Sequence, residues 1–394
     1  MKCSGRNAIT GEMILLEGQQ GITAVEPLLG PAAGAGLPWL APGFIDLQVN
    51  GFAGVDYCAP TSPVEEIGRS IRAQYATGVT RLLPTVITGS QEVMAGALRR
   101  LAEAKEQLPE GESMVGYHVE GPHISAEDGP RGAHPIAAVR APDLEEFKRL
   151  QEAARGDIKL ITISPEWPQA PAYIEHIVRE GIVASIGHTK ANSQQIADAV
   201  AAGATMSTHL GNGAHAVMAR HPNYLWDQLA EDRLTASFIV DGIHIGAAFL
   251  KVALRAKGLE RSVLITDAVM PALCPAGDYQ LGEVDVTLHA SPDGDVDRVT
   301  LRGGMRLAGS ALRMDRGIEK LMQLAGLTLA QAVTLATSNP ARAGRIAGRW
   351  RGFAPGEKSD VVEFTHDAQR QTIKVLRTWV AGRLVFDAEK GPVA

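Results

Sequence analysis

Five polar residues each close a run of apolar ones. Glu120 follows Met114 to Val119, His188 follows Ile182 to Gly187, and His209 follows Ala204 to Thr208. His244 ends the stretch from Phe238 through Asp241-Gly242-Ile243, and Asp267 follows Val263 to Thr266. One carboxylate and two imidazoles form a donor set that suits a catalytic zinc ion and leaves a fourth position for water. Asp267 is the candidate general base, because an acid buried beside a cation can have its proton affinity tuned. His244 is the candidate to polarise a carbonyl oxygen or hold an oxyanion. Each residue alone also fits a plain role, a hydrogen-bonded strand end or a helix cap. Glu120, His188 and His209 together with Asp267 favour a metal hydrolase. His134, Asn212, Gly213 and Arg220 are candidates to hold the substrate, and Arg220 suits an anionic group such as phosphate. Backbone N–H groups in Gly211-Asn212-Gly213-Ala214 could form an anion-binding concavity. His118, His123, His215 and His221 read as structural or rim residues.

Strands that are apolar along their length belong in a parallel sheet covered on both faces. Functional groups at the C-terminal ends of successive parallel strands mark a (β/α)8 barrel. The spacing predicts eight such strands, starting at Phe44–Val49 and Arg81–Val86 and ending at Leu234–Val240 and Ser262–Thr266. Gln48 and Asn50, two apart, point to one side of the first strand. Helical patterns fill most intervals, among them 63–77, 91–108, 143–154 with Asp143 as its cap, 247–257, 315–325 and 329–338. The long Gly/Pro-rich loop 121–139 carries His134, and loops of that length are usually functional. Short strands and turns occupy the start, with a loop at Gly30–Pro38. Alternating strands around Pro292-Asp293-Gly294 form an antiparallel insert. The expected fold is α/β, a (β/α)8 TIM-like barrel with a small β-sandwich domain built from both chain ends. The sandwich takes residues 1–42 and 346–394, and the barrel 43–345 with a β insert near 280–303.

With 21% charged and 45% hydrophobic residues among 394, the composition is that of an ordinary globular enzyme. The formal net charge of −6 and the lack of a Lys/Arg cluster argue against nucleic acid or an anionic membrane as partner. No apolar run approaches the roughly 20 residues of a membrane span. The start, Met1 to Arg6, has no apolar signal core, and the three cysteines, Cys3, Cys58 and Cys274, show no paired spacing. A cytoplasmic, reducing location is the expectation.

Several motifs recur together: His118-Val119-Glu120-Gly121-Pro122, Gly187-His188-Thr189, Thr208-His209-Leu210-Gly211-Asn212, Asp241-Gly242-Ile243-His244, Thr266-Asp267-Ala268 and Leu307-Ala308-Gly309-Ser310. In this set the chain resembles the amidohydrolase superfamily, and within it the N-acetylglucosamine-6-phosphate deacetylases. The resemblance implies one divalent metal ion, zinc or else Fe2+, Mn2+ or Co2+, on Glu120, His188 and His209. It implies Asp267 as acid/base, His244 at the substrate carbonyl, His134 at the sugar, and the main chain of Asn212 and Gly213 at the phosphate. It also implies a homodimer in which Arg220 reaches the neighbouring site. The implied reaction is hydrolysis of the acetamide of N-acetylglucosamine-6-phosphate to glucosamine-6-phosphate and acetate. The alternatives are N-acetylgalactosamine-6-phosphate, an unphosphorylated N-acetyl amino sugar, a cyclic amide, or an inactive barrel that only binds a sugar phosphate. Two stretches depart from the pattern. Gln48-Val49-Asn50 stands where many amidohydrolases have His-x-His, which implies that a second metal site is missing. Leu210-Gly211-Asn212-Gly213-Ala214-His215 stands where the family commonly has an aromatic residue and then Asn-Ala-Met.

Overall fold

The computed structural model describes residues 1–29, 36–282, 284–292, 294 and 296–392. Most of the Gly30–Pro38 loop, and Asp293 of the expected turn, lie outside the described residues. Eight parallel strands stand side by side in chain order: Phe44–Val49, Val79–Ile87, Tyr117–Glu120, Ile158–Ile163, Val183–Ile186, Met206–Ser207, Thr235–Ile239 and Ser262–Ile265. The ring closes where Val49 bridges Ala268 in parallel sense. There Asp267 N donates to Gln48 O at 2.9 Å and Asn50 N to Ala268 O at 2.7 Å.

Alternation along these strands explains the double burial. Phe44, Ile161, Ala184, Phe238 and Leu264 belong to the large core cluster that includes the surrounding helices. Ile45, Leu83, Leu160, Val183, Met206, Ile239 and Val263 belong to a second buried cluster. Two residues further along several of these strands the side chains become hydroxyls. Thr162 Oγ1 lies 2.6 Å from Thr208 Oγ1, which lies 2.6 Å from Ser185 Oγ, and His118 Nε2 lies 2.8 Å from Thr162 Oγ1. The interior therefore grades from apolar, through hydroxyl, to the ionisable residues at the strand ends.

Helices flank the strands. Asp143 caps Leu144–Ala153 by accepting from Glu145 N and Glu146 N, as the cap pattern predicts. The single helix expected over 329–338 is instead two, Leu329–Leu335 and Ser338–Ala343. Pro340 lies in the first turn of the second, where a missing N–H costs nothing. Asn339 Nδ2 at that junction donates to Leu259 O and Ser262 O, tying the turn to the last barrel strand.

Both chain ends contribute to one hydrogen-bonded eight-stranded sheet. Its middle pairs Val361–Asp367 with Trp39–Pro42, and the latter runs parallel to Lys2–Asn7. Lys2–Asn7 is a strand that the apolar pattern does not reveal. The insert is a three-stranded antiparallel sheet, Gly277–Leu281, Val284–His289 and Arg298–Leu301. No helix among the described residues is long and apolar enough to cross a membrane.

Candidate active site and metal centre

Three of the five strand-end residues have left-handed backbones: His188 at φ +48°, His209 at φ +30° and Asp267 at φ +50°. Such conformations cost non-glycine residues about 1–3 kcal/mol each and persist only where the surroundings enforce them. Here the strands are pinned by ladder bonds on one side and by loop bonds on the other. Asp267 N is held by Gln48 O, and Asp267 O accepts from Ser310 N at 3.0 Å. His209 N donates to Ser237 Oγ at 2.8 Å. The sharp turns at the strand ends set the direction of these side chains.

Glu120 Oε1 lies 3.1 Å from His188 Nε2 and 2.9 Å from His209 Nε2, and the two nitrogens are 3.1 Å apart. Donor atoms placed at about 2.0–2.1 Å on a tetrahedral ion stand roughly 3.4 Å from one another. The triangle needs only a small expansion to hold one. Two imidazole nitrogens in such contact cannot both carry protons, which favours lone pairs turned to a shared cation. His188 Nδ1 lies 2.8 Å from Pro130 O, a contact that places its proton on Nδ1 and frees Nε2 as a ligand. The donor set thus fits a divalent metal ion. His134 lies against it: ligand atoms of Glu120, His134 and His188 all lie within 4.8 Å of one another. Backbone packs as closely, since a Cβ on Gly213 would sit 2.7 Å from His188 Nδ1. Gly213, at φ +56°, is required there on both counts.

Charge at the site is unbalanced. Burial raises the Glu120 carboxyl, but the close His188 and His209 imidazoles outweigh it and hold the group well below its usual range. Burial, reinforced by the charge of Glu120, pushes Asp267 up to about 6. Burial brings His134 down to about 3, so this ring is neutral. Asp46, buried beneath, is pushed up to about 7 by desolvation against the opposing bonds from Thr266 and Gln48.

These groups open into a cavity of about 170 Å³. Glu120, His134, His188, His209, Asn212, Gly213, His244 and Asp267 all line it. Arg220 does not; it is exposed, and no Lys or Arg is among the lining residues. Asn212 N donates to His209 O at 2.9 Å, so of the two N–H groups of Asn212 and Gly213 the one without a partner among the described residues is that of Gly213. Pattern reading missed two features. Asp241 holds His244: its Oδ2 lies 2.6 Å from His244 Nδ1, and its Oδ1 accepts from Ile243 N and His244 N, both at 2.8 Å. This leaves His244 Nε2 as the free nitrogen. The three-residue spacing of Asp241 and His244 was the available signal. The other feature is an apolar wall, Ile87, Ile239, Val269, Leu281, Val284 and Leu307, part of it supplied by the insert.

A barrel with an acid and histidines converging at its strand ends is the architecture of a metal-dependent hydrolase. The sequence matches the model of the Amidohydrolase family over residues 39–385, and the chain belongs to that family. It is 35% identical over 359 residues to an N-acetylgalactosamine-6-phosphate deacetylase of Shewanella sp. (strain ANA-3), covering 90% of this chain and 85% of that protein. It is 31% identical over 350 residues to the N-acetylglucosamine-6-phosphate deacetylase of Bacillus subtilis (strain 168), covering 88% and 84%. Among solved structures, it resembles the N-acetyl-D-glucosamine-6-phosphate deacetylase of Mycobacterium smegmatis, a mutant in complex with N-acetyl-D-glucosamine-6-phosphate. The TM-score is 0.84 at 30% identity, with 94% of each chain covered.

Proposed function

We propose that the protein hydrolyses the acetamide of N-acetylglucosamine-6-phosphate, giving glucosamine-6-phosphate and acetate, in amino-sugar catabolism in the cytoplasm. The observation that carries this reading is the triangle of Glu120 Oε1, His188 Nε2 and His209 Nε2 facing the same cavity as Asp267 and His244. When bound on that triangle, one divalent ion, zinc in this reading, supplies Lewis-acid activation of water near neutral pH. Asp267 takes the proton of the attacking water. His244, fixed by Asp241 through Nδ1, presents an Nε2–H to the oxygen of the acetyl carbonyl as negative charge develops there. Asp267 then returns the proton to the nitrogen as the C–N bond breaks, because an amine anion is a very poor leaving group. His134 and the Asn212 side chain hold the sugar, and Gly213 N–H meets the phosphate. Since the cavity lining holds no permanent cation, Arg220 of a second copy completes the phosphate site in a homodimer.

A second reading, the same reaction on N-acetylgalactosamine-6-phosphate, is favoured by the Shewanella relative at 35% identity. Acetate release by the zinc-loaded protein from both phosphorylated sugars and from N-acetylglucosamine, side by side, decides between them. Turnover on the glucosamine epimer is expected to dominate. Faster release from the galactosamine epimer moves the assignment to that sugar. Release from none of the three overturns the deacetylase reading.

A further inference from the structure

Gln48 stands between Glu120 and Asp267, and Asn50 stands against Asp267. Asn50 Nδ2 donates to Asp267 Oδ1 at 2.7 Å. Gln48 Nε2 lies 3.0 Å from the same Oδ1 and 3.0 Å from Glu120 Oε1. An amide nitrogen carries two hydrogens, so Gln48 spends one on each acid. Asp267 Oδ1 therefore has two donors, while Oδ2 has no partner among the described residues, and Asp267 lines the cavity. All four residues are buried. The amides cannot drift, because their backbones are stapled as well: Gln48 O accepts from Asp267 N, Asn50 N donates to Ala268 O, and Gln48 N is held by Asp46 Oδ1 at 3.2 Å.

Two buried carboxylates this close repel each other unless something positive or donating separates them. A second cation would do this, but it would also draw the lone pairs of Asp267 to itself. A neutral amide offsets the repulsion and leaves the acid able to exchange a proton.

We infer that Gln48 and Asn50 are positioning residues for proton transfer: they pin Oδ1 of Asp267 and leave Oδ2 as the oxygen that takes the proton from water and returns it to the leaving nitrogen. The inference rests on Asp267 as the acid/base. A carboxylate hinged on one fixed oxygen keeps the other at a constant place through both transfers.

The test uses the zinc-loaded full chain and three variants, Gln48→Met, Asn50→Leu and Asn50→Ser. Gln48→Met and Asn50→Leu are expected to lose about 10²-fold in kcat, the cost of a misplaced reacting group. KM and the zinc content should change little. The acidic limb of kcat against pH should move upward in Asn50→Leu, because the carboxylate loses a donor. Asn50→Ser, which keeps a donor, should recover part of the loss. Unchanged kcat in both apolar variants overturns the inference, as does a loss of activity that tracks loss of zinc, which would place the role on Glu120. Should Gln48→Met not fold, the Asn50 pair decides. Asp267→Asn measured alongside separates the two levels: full turnover by that metal-loaded variant refutes the acid/base reading itself.

Discussion

Buried charge occurs at both ends of the barrel, and the two ends treat it in opposite ways. At the base, Asp360 is fully enclosed with Arg81 and Arg349. Its Oδ1 accepts from Arg81 Nη2 at 3.0 Å and from Ala381 N at 2.8 Å, and its Oδ2 from Arg81 Nε at 2.6 Å. Arg349 also donates to Gly43 O, and Arg81 to Glu112. Burial alone would raise the Asp360 carboxyl, but Arg349 and Arg81 outweigh it and hold it below its usual range. At the mouth, Glu120 and Asp267, with Asp46 buried beneath, gather with amides and imidazoles, and among the described residues no Lys or Arg lines the cavity. The base is electrostatically complete. The mouth lacks positive charge, and a divalent cation on Glu120, His188 and His209 would supply it. One end is built to stay folded and the other to bind and react.

That contrast can be broken from either side. The largest effect on stability is expected from Asp360→Ala, which leaves two buried guanidinium groups without their acid. Urea unfolding should show a loss of about 3–5 kcal/mol, and a loss under about 1 kcal/mol would end the view of the base as a lock. Asp267→Asn should behave in the opposite sense. Acetate release should fall about 10³-fold, within the range of general acid–base catalysis, while unfolding free energy holds or rises. Equal destabilisation by both substitutions would erase the distinction between the two ends. Metal should stabilise only through the mouth. Zinc at about 100 times its Kd should add about 2.7 kcal/mol to the unfolding free energy, and His209→Ala should abolish the gain in thermal melts with and without chelator.

Acidity separates the ends again. Asp360 has a folded pKa below its unfolded value, so its contribution is present above that value and disappears as pH falls through the folded one. Asp46 runs the other way. Its folded value is near 7, so in the metal-free protein its contribution is present at low pH and is lost as pH rises toward 7. Asp46→Asn should flatten the decline in stability of the metal-free protein between about pH 4 and 7, which denaturation at a series of pH values would measure. The smallest effect belongs to an acid in neither cluster. Asp143→Ala removes a helix cap and should cost about 1 kcal/mol with turnover unchanged.

The reacting residues were legible because each interrupts an apolar run at its end, a one-dimensional signal. Glu120, His188, His209, His244 and Asp267 share that pattern, and all five line one cavity. The amides were harder to read. Gln48 and Asn50 stood out as a departure from a metal-binding pair, but their partner Asp267 lies 219 and 217 positions away, and only barrel closure brings them together. The apolar wall from Leu281 and Val284 was hidden for the same reason, since an insert's strands do not state which face they cover. Asn212 illustrates a finer limit: its place beside the cavity could be expected, but the bond from its N–H to His209 O depends on the left-handed turn at His209. Side-chain type and local period survive in the sequence, whereas long-range register and backbone handedness emerge only from the fold.

The pairing of Trp39–Pro42 with Val361–Asp367 has a consequence for how the molecule is made. Synthesis proceeds from the N-terminus, so the strands of residues 2–27 and 39–42 leave the ribosome more than 300 residues before their neighbour in the sheet. Until then an open edge with unpaired N–H and C=O groups is presented to the cell. Asp360, which completes the charge cluster at the base, arrives just as late. A chain stopped short of residue 361 would hold every reacting group named above and still lack the strand that shields its first strands, which makes truncated products candidates for aggregation rather than for partial activity.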